Sequence, residues 1–512
     1  MQIWRQNENL LTASNQIILS KFELSRYLRI ILKNIPFIDM PGLETKKLYL
    51  ITLALLFSSI TVFSQQQLSM IIEISHHGAT SPRYSDPWYD DWDSLGDIIP
   101  AGIRQHYMLG REIQSRYSSV IPTPYNPNSV YIRAIDSNRT IESAYSQAYA
   151  LFTVGDEVYA PQFNSSYNQT LSYPPLNGTL NQTTLGFTPL PNNYTPVAVH
   201  TENPHLDHLL RGFSGEACPY QSNLTAKQIL ALYAKQQAFI TQFRPLVENA
   251  VKKGWIKSSD SSTFDALYET ANLYEVLVSD YIAGVKDIPM QPGSQAWVNY
   301  EYLYVMLQNY LFYNDPLQPR LASMNLLHEI LGIFTNKTKG LRNESFVHYS
   351  ARDNNILSIL TAFNQTSPDC FYSSFTDPAH KNLVCTYPSY ASALFFELWS
   401  DPNNATNSSI KVIYNDYVLY LCGKPTCDLN SFSKVITAAT GGLQYTDFLR
   451  ICYYGMPEEQ GGSGSGFQTF LIILAVALFV GLFYFTKKEL YDPYMEINQQ
   501  NQQAAGNYAR QQ

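Results

Sequence analysis

Apolar and polar residues follow one another along the chain in blocks that predict strands and helices in turn. Gln67 to Ile74 is a short and nearly continuous apolar run, which indicates a buried strand. The polar segment 75–82 follows at once and contains Gly78 and Pro82, so it predicts a loop at the carboxyl end of that strand. Helical spacing then covers Ala101 to Tyr117. Because ligands bind at this edge of open α/β sheets, we expect the chemistry of the protein in that loop.

The alternation of strand and helix continues and is then interrupted by a helical block. Ser129 to Ile135 predicts a second strand, and Ile141 to Phe152 predicts a helix. Helical patterns dominate from Thr225 to Leu331, with single helices expected over Ala226–Val247 and Trp297–Phe312. Strand patterns return at Glu344–Tyr349, Ala391–Leu398 and Ile410–Leu421. This order predicts an α/β core with an inserted, mainly α-helical domain.

The first of two longer apolar segments is typical of a secretory signal peptide. Lys46 and Lys47 precede the run from Leu48 to Phe63, which is short for a membrane span and predicts cleavage before Gln65. A signal peptide belongs at the N-terminus, so we expect Met40 to be the true start and the preceding leader to be a gene-model artefact. The alternative is that the apolar run remains as an anchor.

The second apolar segment predicts a single transmembrane helix. Phe467 to Phe485 contains no charged residue, follows a Gly/Ser linker and precedes Lys487-Lys488, which places the tail in the cytoplasm. In that tail, Tyr494-Met495-Glu496-Ile497 resembles an endosomal or lysosomal sorting signal. We therefore expect a single-pass type I membrane protein of the lysosome, the endosome or the cell surface, with its main domain luminal or extracellular.

The predicted organisation has eight segments. A leader (1–39) and a signal peptide (40–64) come first. The domain follows as the first part of the core (65–160), the glycosylated loop with the helical insertion (161–332) and the second part of the core (333–456). The chain then continues with the linker (457–466), the transmembrane helix (467–485) and the cytoplasmic tail (486–512).

Composition supports a folded domain in an oxidising compartment. Charged residues make up 15% of the chain and hydrophobic residues 45%, which argues against disorder. The net charge of −8 argues against a nucleic-acid partner. All six cysteines lie in the luminal part and predict disulfides, for which sequence alone leaves 15 pairings open. Asn-x-Ser/Thr sequons crowd between Asn164 and Asn193, which indicates an exposed glycosylated loop.

Short motifs along the luminal part carry a resemblance to a known family. His76-His77-Gly78 with Pro82 resembles the Arg-His-Gly-x-Arg-x-Pro signature of the histidine acid phosphatases, the lysosomal and prostatic acid phosphatase-like family. Further matches to family motifs follow in the same order at residues 101–110, 131–140, 350–355 and 387–399. Five motifs in order, spread over nearly all of Gln65 to Tyr454, make the resemblance specific.

The resemblance implies a fold and a reaction. The fold is a three-layer α/β core of the histidine-phosphatase type with an inserted, mainly helical domain. The reaction is hydrolysis of a small phosphate monoester through a phosphohistidine, in which His77 matches the nucleophile, Asp353 the proton donor and Arg133 a phosphate-binding arginine. No metal or organic cofactor is implied, and homodimers are common among relatives.

Three positions depart from the family pattern and leave two functions open. His76 and Thr80 stand where the family has signature arginines, and Arg352 stands where it has a phosphate-binding histidine. Loss of one aimed donor lowers the rate on the order of 10²–10³. A cationic His76, Arg352 or an inward-turned Arg83 would compensate for the missing arginines. Arg352 beside Asp353, however, favours the ionised carboxylate, which weakens Asp353 as a proton donor. The alternatives are an acid phosphatase and a weak or inactive pseudoenzyme that binds a phosphorylated ligand or a protein.

The resemblance also implies the disulfide pairing. Cys422 with Cys427 resembles the family's local C-terminal bridge, and Cys218 with Cys452 resembles a long-range bridge. This leaves Cys370 with Cys385, a pair that departs from the family's third bridge.

Overall fold

The protein is described by a computed structural model over residues 66–152, 196–377 and 383–456. These residues all belong to one compact unit that begins at Gln66. The predicted signal peptide, the sequons from Asn164 to Asn193, the linker, the transmembrane helix and the tail lie outside the described residues. Within those three ranges, no helix is both long enough and apolar enough to cross a membrane.

A mixed sheet forms the centre of the described part. Its strands are β1 Gln67–His76, β2 Val130–Ala134, β3 Phe346–Ala351, β4 Ala393–Asp401, β5 Asn404–Tyr414, β6 Tyr417–Leu419 and β7 Cys427–Asp428. The spatial order is β2-β3-β1-β4-β5-β6, with β7 paired to β5. Strands β2, β3 and β1 are parallel, and β4 joins β1 in the antiparallel sense. Strands β1 and β3 are buried almost throughout, polar residues included, as expected for parallel strands that are covered on both faces.

Helices cover both faces of the sheet and make the core three-layered. The helices that pack on the sheet include α1 Pro100–Arg116, α2 Asn138–Phe152, α7 Leu317–Thr338 and α10 Leu429–Thr440. On one face, Ile71 and Ile132 pack with Ile113 of α1. On the other face, Ile72 packs in a cluster with Ile330 of α7. The mixed sheet with helices agrees with the predicted α/β class.

A helical block stands between β2 and β3. It contains α3 Tyr220–Lys235, α4 Gln237–Lys253, α5 Phe264–Ala283 and α6 Gln295–Phe312, and the chain continues after β3 with α8 Asp353–Ala362 and α9 Pro368–Thr376. Phe243, Leu267 and Leu303 build a separate apolar cluster, which Leu357 of α8 joins. Helix α7 follows this block but packs on the sheet, so the predicted boundary at residue 332 falls inside a core helix.

Two sequence predictions were wrong in detail. The single helix predicted over Ala226–Val247 is two helices, because the backbone of Gln236 leaves the helical region with φ −116° and ψ 40°. The strand predicted over Ile410–Leu421 is a hairpin of β5 and β6. Its turn contains Asn415 at φ 53°, a left-handed conformation that asparagine tolerates better than most residues.

Three disulfides close the fold, and they are the pairs that the resemblance implied. They join Cys218 to Cys452, Cys370 to Cys385, and Cys422 to Cys427. The first bridge ties the segment before α3 to α11 Tyr445–Tyr454 across 234 residues of sequence. A bridge over so long a loop restricts the unfolded chain strongly.

Candidate functional site

The loop after β1 is held by backbone contacts at the carboxyl edge of the sheet. Its His77 N–H donates to the Ala351 carbonyl at 3.2 Å, and its Ala79 N–H donates to Gln105 Oε1 of α1 at 2.8 Å. Gly78 lies so close to Gly102 of α1 that a Cβ would collide with that backbone. These two glycines therefore allow α1 to dock directly on the loop.

The His77 imidazole is fixed in one tautomer. Its Nδ1 lies 2.8 Å from the carbonyl oxygen of Gly78, and because a carbonyl only accepts, Nδ1 carries the proton. Burial, helped by His76 and Arg139 nearby, holds the pKa of His77 well below its usual 6.5. The ring is therefore neutral under mildly acidic conditions, and Nε2 keeps the lone pair that a nucleophile needs.

His76 and Thr80 occupy the positions where the family has arginines. The His76 ring stacks on Tyr390 with centroids 5.2 Å apart, and its Nδ1 donates to the Ser389 carbonyl at 2.9 Å. Burial lowers the pKa of His76 although the nearby Asp353 carboxylate raises it, so burial works against the cationic His76 considered from the sequence. Thr80 is buried, and its Oγ1 lies 3.5 Å from the Tyr390 hydroxyl.

Asp353 begins α8 directly beyond β3. Its Oδ2 accepts a hydrogen bond from the Tyr387 hydroxyl at 2.6 Å. Burial favours the neutral acid, but His76, Arg83 and this hydroxyl outweigh burial and lower the pKa of Asp353 below its ordinary value. The carboxylate form is thus favoured, but through His76 and Arg83 rather than through Arg352, the neighbour to which the sequence analysis attributed it.

Arginines gather around these groups. Burial, and then the repulsion of Arg139 and Arg83, lowers the pKa of Arg352 to about 9. Arg139, the second residue of α2, is also lowered in pKa, by burial and by Arg83. The Nε atoms of Arg139 and Arg352 are buried without a hydrogen-bond acceptor in the described part. Mutually repelling guanidinium groups with free donors form a site for an anion, and phosphate matches their geometry.

Arg133, predicted to bind phosphate, lies outside this cluster. Its guanidinium donates to Asp207 Oδ1 at 2.5 Å, and both groups are largely buried. Arg133 lines a separate cavity of about 450 Å³ with Glu202 and His328. Arg133 is the penultimate residue of β2, where its backbone pairs with Tyr349, whereas Arg139 lies six residues further on, in the first turn of α2.

Arg83 links the site to the helical block. Its Nε donates to Glu275 Oε1 at 2.6 Å, and its Nη2 also donates to the same carboxylate of α5, which is buried. Arg83 is close enough to lower the pKa of both Asp353 and Arg352. Arg83 therefore acts on the site, but its guanidinium is paired with Glu275, a partner that the sequence did not reveal, and its side chain stays about one third exposed.

A cavity of about 190 Å³ opens beside Asp353 and Arg83. It lies between the helical block and α8, and in the described part its walls carry five tyrosines and two phenylalanines. Tyr387 belongs to this wall and packs edge-on against Tyr304 with centroids 5.5 Å apart. In the described residues, no group of three or more side chains is placed to hold a metal ion.

Comparison with known proteins places the chain among phosphatases. The family model described as "Histidine phosphatase superfamily (branch 2)" matches residues 63–415. A protein named putative acid phosphatase 5 from Caenorhabditis elegans is 25% identical over 317 residues, which cover 60% of this chain and 59% of that protein. The lysosomal acid phosphatase of Homo sapiens is 22% identical over 385 residues, or 72% of this chain and 77% of that protein.

The chain is also similar to a solved structure. The phytase of Citrobacter braakii covers 73% of this chain and 98% of its own, with 15% sequence identity and a TM-score of 0.49.

Proposed function

The chain belongs to branch 2 of the histidine phosphatase superfamily, and from this premise we propose that it hydrolyses phosphate monoesters with His77 as the nucleophile. The observation that carries the proposal is the state of His77, whose proton is held on Nδ1 by Gly78 so that Nε2 is free and neutral. Arg139 and Arg352 lie close enough to lower the pKa of His77, and the Asp353 carboxylate acts on the adjacent His76. Cations for the phosphoryl oxygens and a carboxyl group for the leaving oxygen support phosphoryl transfer.

The proposed reaction has two steps. In the first, Nε2 of His77 attacks phosphorus, the bond from phosphorus to the ester oxygen breaks, and the leaving oxygen takes a proton from Asp353. In the second, water attacks the phosphohistidine and gives a proton to the Asp353 carboxylate. The bonding electrons then return to Nε2, and inorganic phosphate leaves. Arg139 and Arg352 hold the phosphoryl oxygens throughout, so Arg139 takes the role first predicted for Arg133.

Acidic pH favours this reaction because of the protonation states of the substrate, Asp353 and His77. A phosphate monoester has a second pKa near 6, so below that pH it arrives with a proton. Because its pKa is lowered, Asp353 is ionised when the substrate arrives, and it passes this proton from the substrate to the leaving oxygen. His77 is neutral under mildly acidic conditions because burial holds its pKa well below 6.5.

The arginines supply what the altered signature lacks. Compared with the family signature, His76 and Thr80 replace two arginines, and Arg352 adds one. Arg83, three residues after Thr80, also lies close enough to lower the pKa of Arg352. An arriving phosphate also raises the pKa of His76, as Asp353 already does in part, and draws a further proton onto it. This supports an active enzyme over the pseudoenzyme alternative.

We place the catalytic domain on the luminal or extracellular side of a membrane, anchored by the segment Phe467–Phe485. The support is that segment's lack of charge, the three disulfides and the lysosomal relative. Protease protection of the full-length chain in sealed vesicles tests the topology: only the tail after Lys488 should be digested from outside.

Hydrolysis of 4-nitrophenyl phosphate by the full-length chain in detergent, from pH 4 to pH 8, tests the proposed reaction. His77→Ala should abolish turnover, and His205→Ala, which removes an exposed histidine, should not change it. Equal background rates for the wild type and His77→Ala, with both chains folded, would refute catalysis. Restoring arginine at positions 76 and 80 and histidine at position 352 would then show whether those changes silenced the site.

A further inference from the structure

The aromatic cavity beside Asp353 lies where the leaving group of a phosphate ester must point. Asp353 gives its proton to the leaving oxygen, so that oxygen sits within hydrogen-bond distance of the carboxyl. The rest of the leaving group then extends away from the arginine cluster. Asp353 lines the cavity, and the Tyr387 hydroxyl that holds its Oδ2 is part of the same wall.

The size and lining of the cavity fit one flat ring. Its volume is about 190 Å³, close to the roughly 150 Å³ of a cavity that holds benzene, and the side-chain amides of Gln221, Gln308 and Gln318 line it together with the aromatic rings. Tyr268 and Tyr84 contribute half-buried rings at one side, with their hydroxyl oxygens 3.5 Å apart. Phe213 and Phe312 add apolar surface. Aromatic walls contact a flat ring closely and gain from offset or edge-on packing.

The charges around the cavity argue against a highly phosphorylated leaving group. Among the described lining residues, only Arg83 and Asp353 are charged, and Glu275 already pairs with Arg83. Additional phosphate groups in this space would meet tyrosine rings and the neutral amides of glutamine and asparagine rather than cations, and burial of unpaired charges is costly. A polyphosphorylated ring therefore lacks the partners that it needs here.

We propose that this cavity is a leaving-group subsite selective for phosphate monoesters of single-ring aromatic alcohols, with Tyr268 and Phe312 as specificity-determining residues. The inference rests on the proposed function, since it uses the position of the proton donor. It assigns a substrate class to the site: aryl and benzyl monoesters are preferred over alkyl monoesters and over polyphosphorylated polyols.

Two phosphonates test the subsite without requiring turnover. Benzylphosphonate and methylphosphonate carry the same charge, and neither can be hydrolysed. Their dissociation constants for the full-length chain are measured by titration calorimetry and as inhibition constants against 4-nitrophenyl phosphate. Burial of the phenyl ring should make benzylphosphonate bind on the order of 10- to 100-fold more tightly. Equal affinity for the two phosphonates would overturn the subsite.

Variants on one helix separate the subsite from general effects. Tyr268→Ala should weaken benzylphosphonate about 3- to 10-fold and leave methylphosphonate unchanged. Tyr281→Ala, on the same helix but exposed and outside the cavity, should change neither. Ala322→Leu fills the cavity and should also weaken benzylphosphonate alone. If Ala322→Leu does not fold, Tyr268→Ala still decides, because a parallel loss for both phosphonates would contradict the proposal.

The outcomes distinguish this inference from the proposed function. Calorimetric preference for benzylphosphonate in a chain that hydrolyses no ester would retain the subsite and reject the enzyme. Hydrolysis that depends on His77, with equal affinity for both phosphonates, would retain the enzyme and reject the subsite.

Discussion

Arg139 and Arg133 lie six residues apart in one motif. Substitution of Arg139 should lower activity, whereas substitution of Arg133 should lower stability. Arg139 lies in the arginine cluster, where it lowers the pKa of both His77 and Arg352. Its Nη1 donates to the Gly96 carbonyl at 3.0 Å, while its Nε is buried without an acceptor among the described residues. Arg133 instead pairs with the fully buried Asp207.

The expected magnitudes follow from these contacts. Arg139→Ala removes one aimed donor from the phosphoryl group, so kcat/KM should fall on the order of 10²–10³ while the fold is retained. Arg133→Ala leaves the Asp207 carboxylate buried with its remaining hydrogen bond from the Leu210 N–H. Such a loss destabilises a fold by about 3–5 kcal/mol, so Arg133→Ala should lower Tm by several degrees with nearly unchanged kcat/KM at 25 °C.

The assay pairs steady-state hydrolysis of 4-nitrophenyl phosphate at pH 5 with thermal unfolding of the same samples. Arg139→Lys serves as a charge-conserving control and should recover only part of the rate, because an ammonium cannot bind phosphate bidentately. Loss of activity in Arg133→Ala with full activity in Arg139→Ala would refute the assignment.

Three further predictions concern buried groups near the site. Burial raises the pKa of Glu73 from 4.5 to about 8, so folding stability falls as pH rises between these values. In urea unfolding, Glu73→Gln should raise the free energy of unfolding by about 2–4 kcal/mol at pH 7.5 but change it little at pH 4.5. Burial and contact with the Asp86 carboxylate raise the pKa of Asp280 to about 8. Wild-type tryptophan fluorescence should therefore change with a midpoint near pH 8, and Asp280→Asn should lack that change. Gly102→Ala places a Cβ against the Ala79 backbone, so it should lower both Tm and kcat, whereas Gly254→Ala would lower only Tm.

The sequence predicted the elements that periodicity and motif order control. The strand ending at His76, the loop with His77 and the helix after it lie where expected, because a continuous apolar run bounded by Gly and Pro has few alternatives. The turn at Asn415 was missed because Asn415-Asp416 lacks the glycine of the strongest hairpin signals.

The site residues were harder because their roles depend on three-dimensional direction. The motif contains two arginines, and the resemblance assigns phosphate binding to Arg133, near the end of β2. The environment of Arg139, which lies in the first turn of α2, depends on how that helix packs, and the motif does not report this. Glu275 had no sequence signal, because its partner Arg83 is 192 residues away. The lowered pKa of His76 also depends on burial, which short motifs do not report.

The account's central claim is that His77 carries the phosphoryl group, and rapid quenching tests it most directly. The full-length chain is mixed with radiolabelled 4-nitrophenyl phosphate at pH 5, denatured in alkali within milliseconds, and digested for peptide mapping. The account predicts an acid-labile, alkali-stable label on the peptide that contains His77, absent from His77→Ala and increased when Asp353→Asn slows the attack of water. Turnover without label on that peptide, or label that persists in His77→Ala, would contradict it.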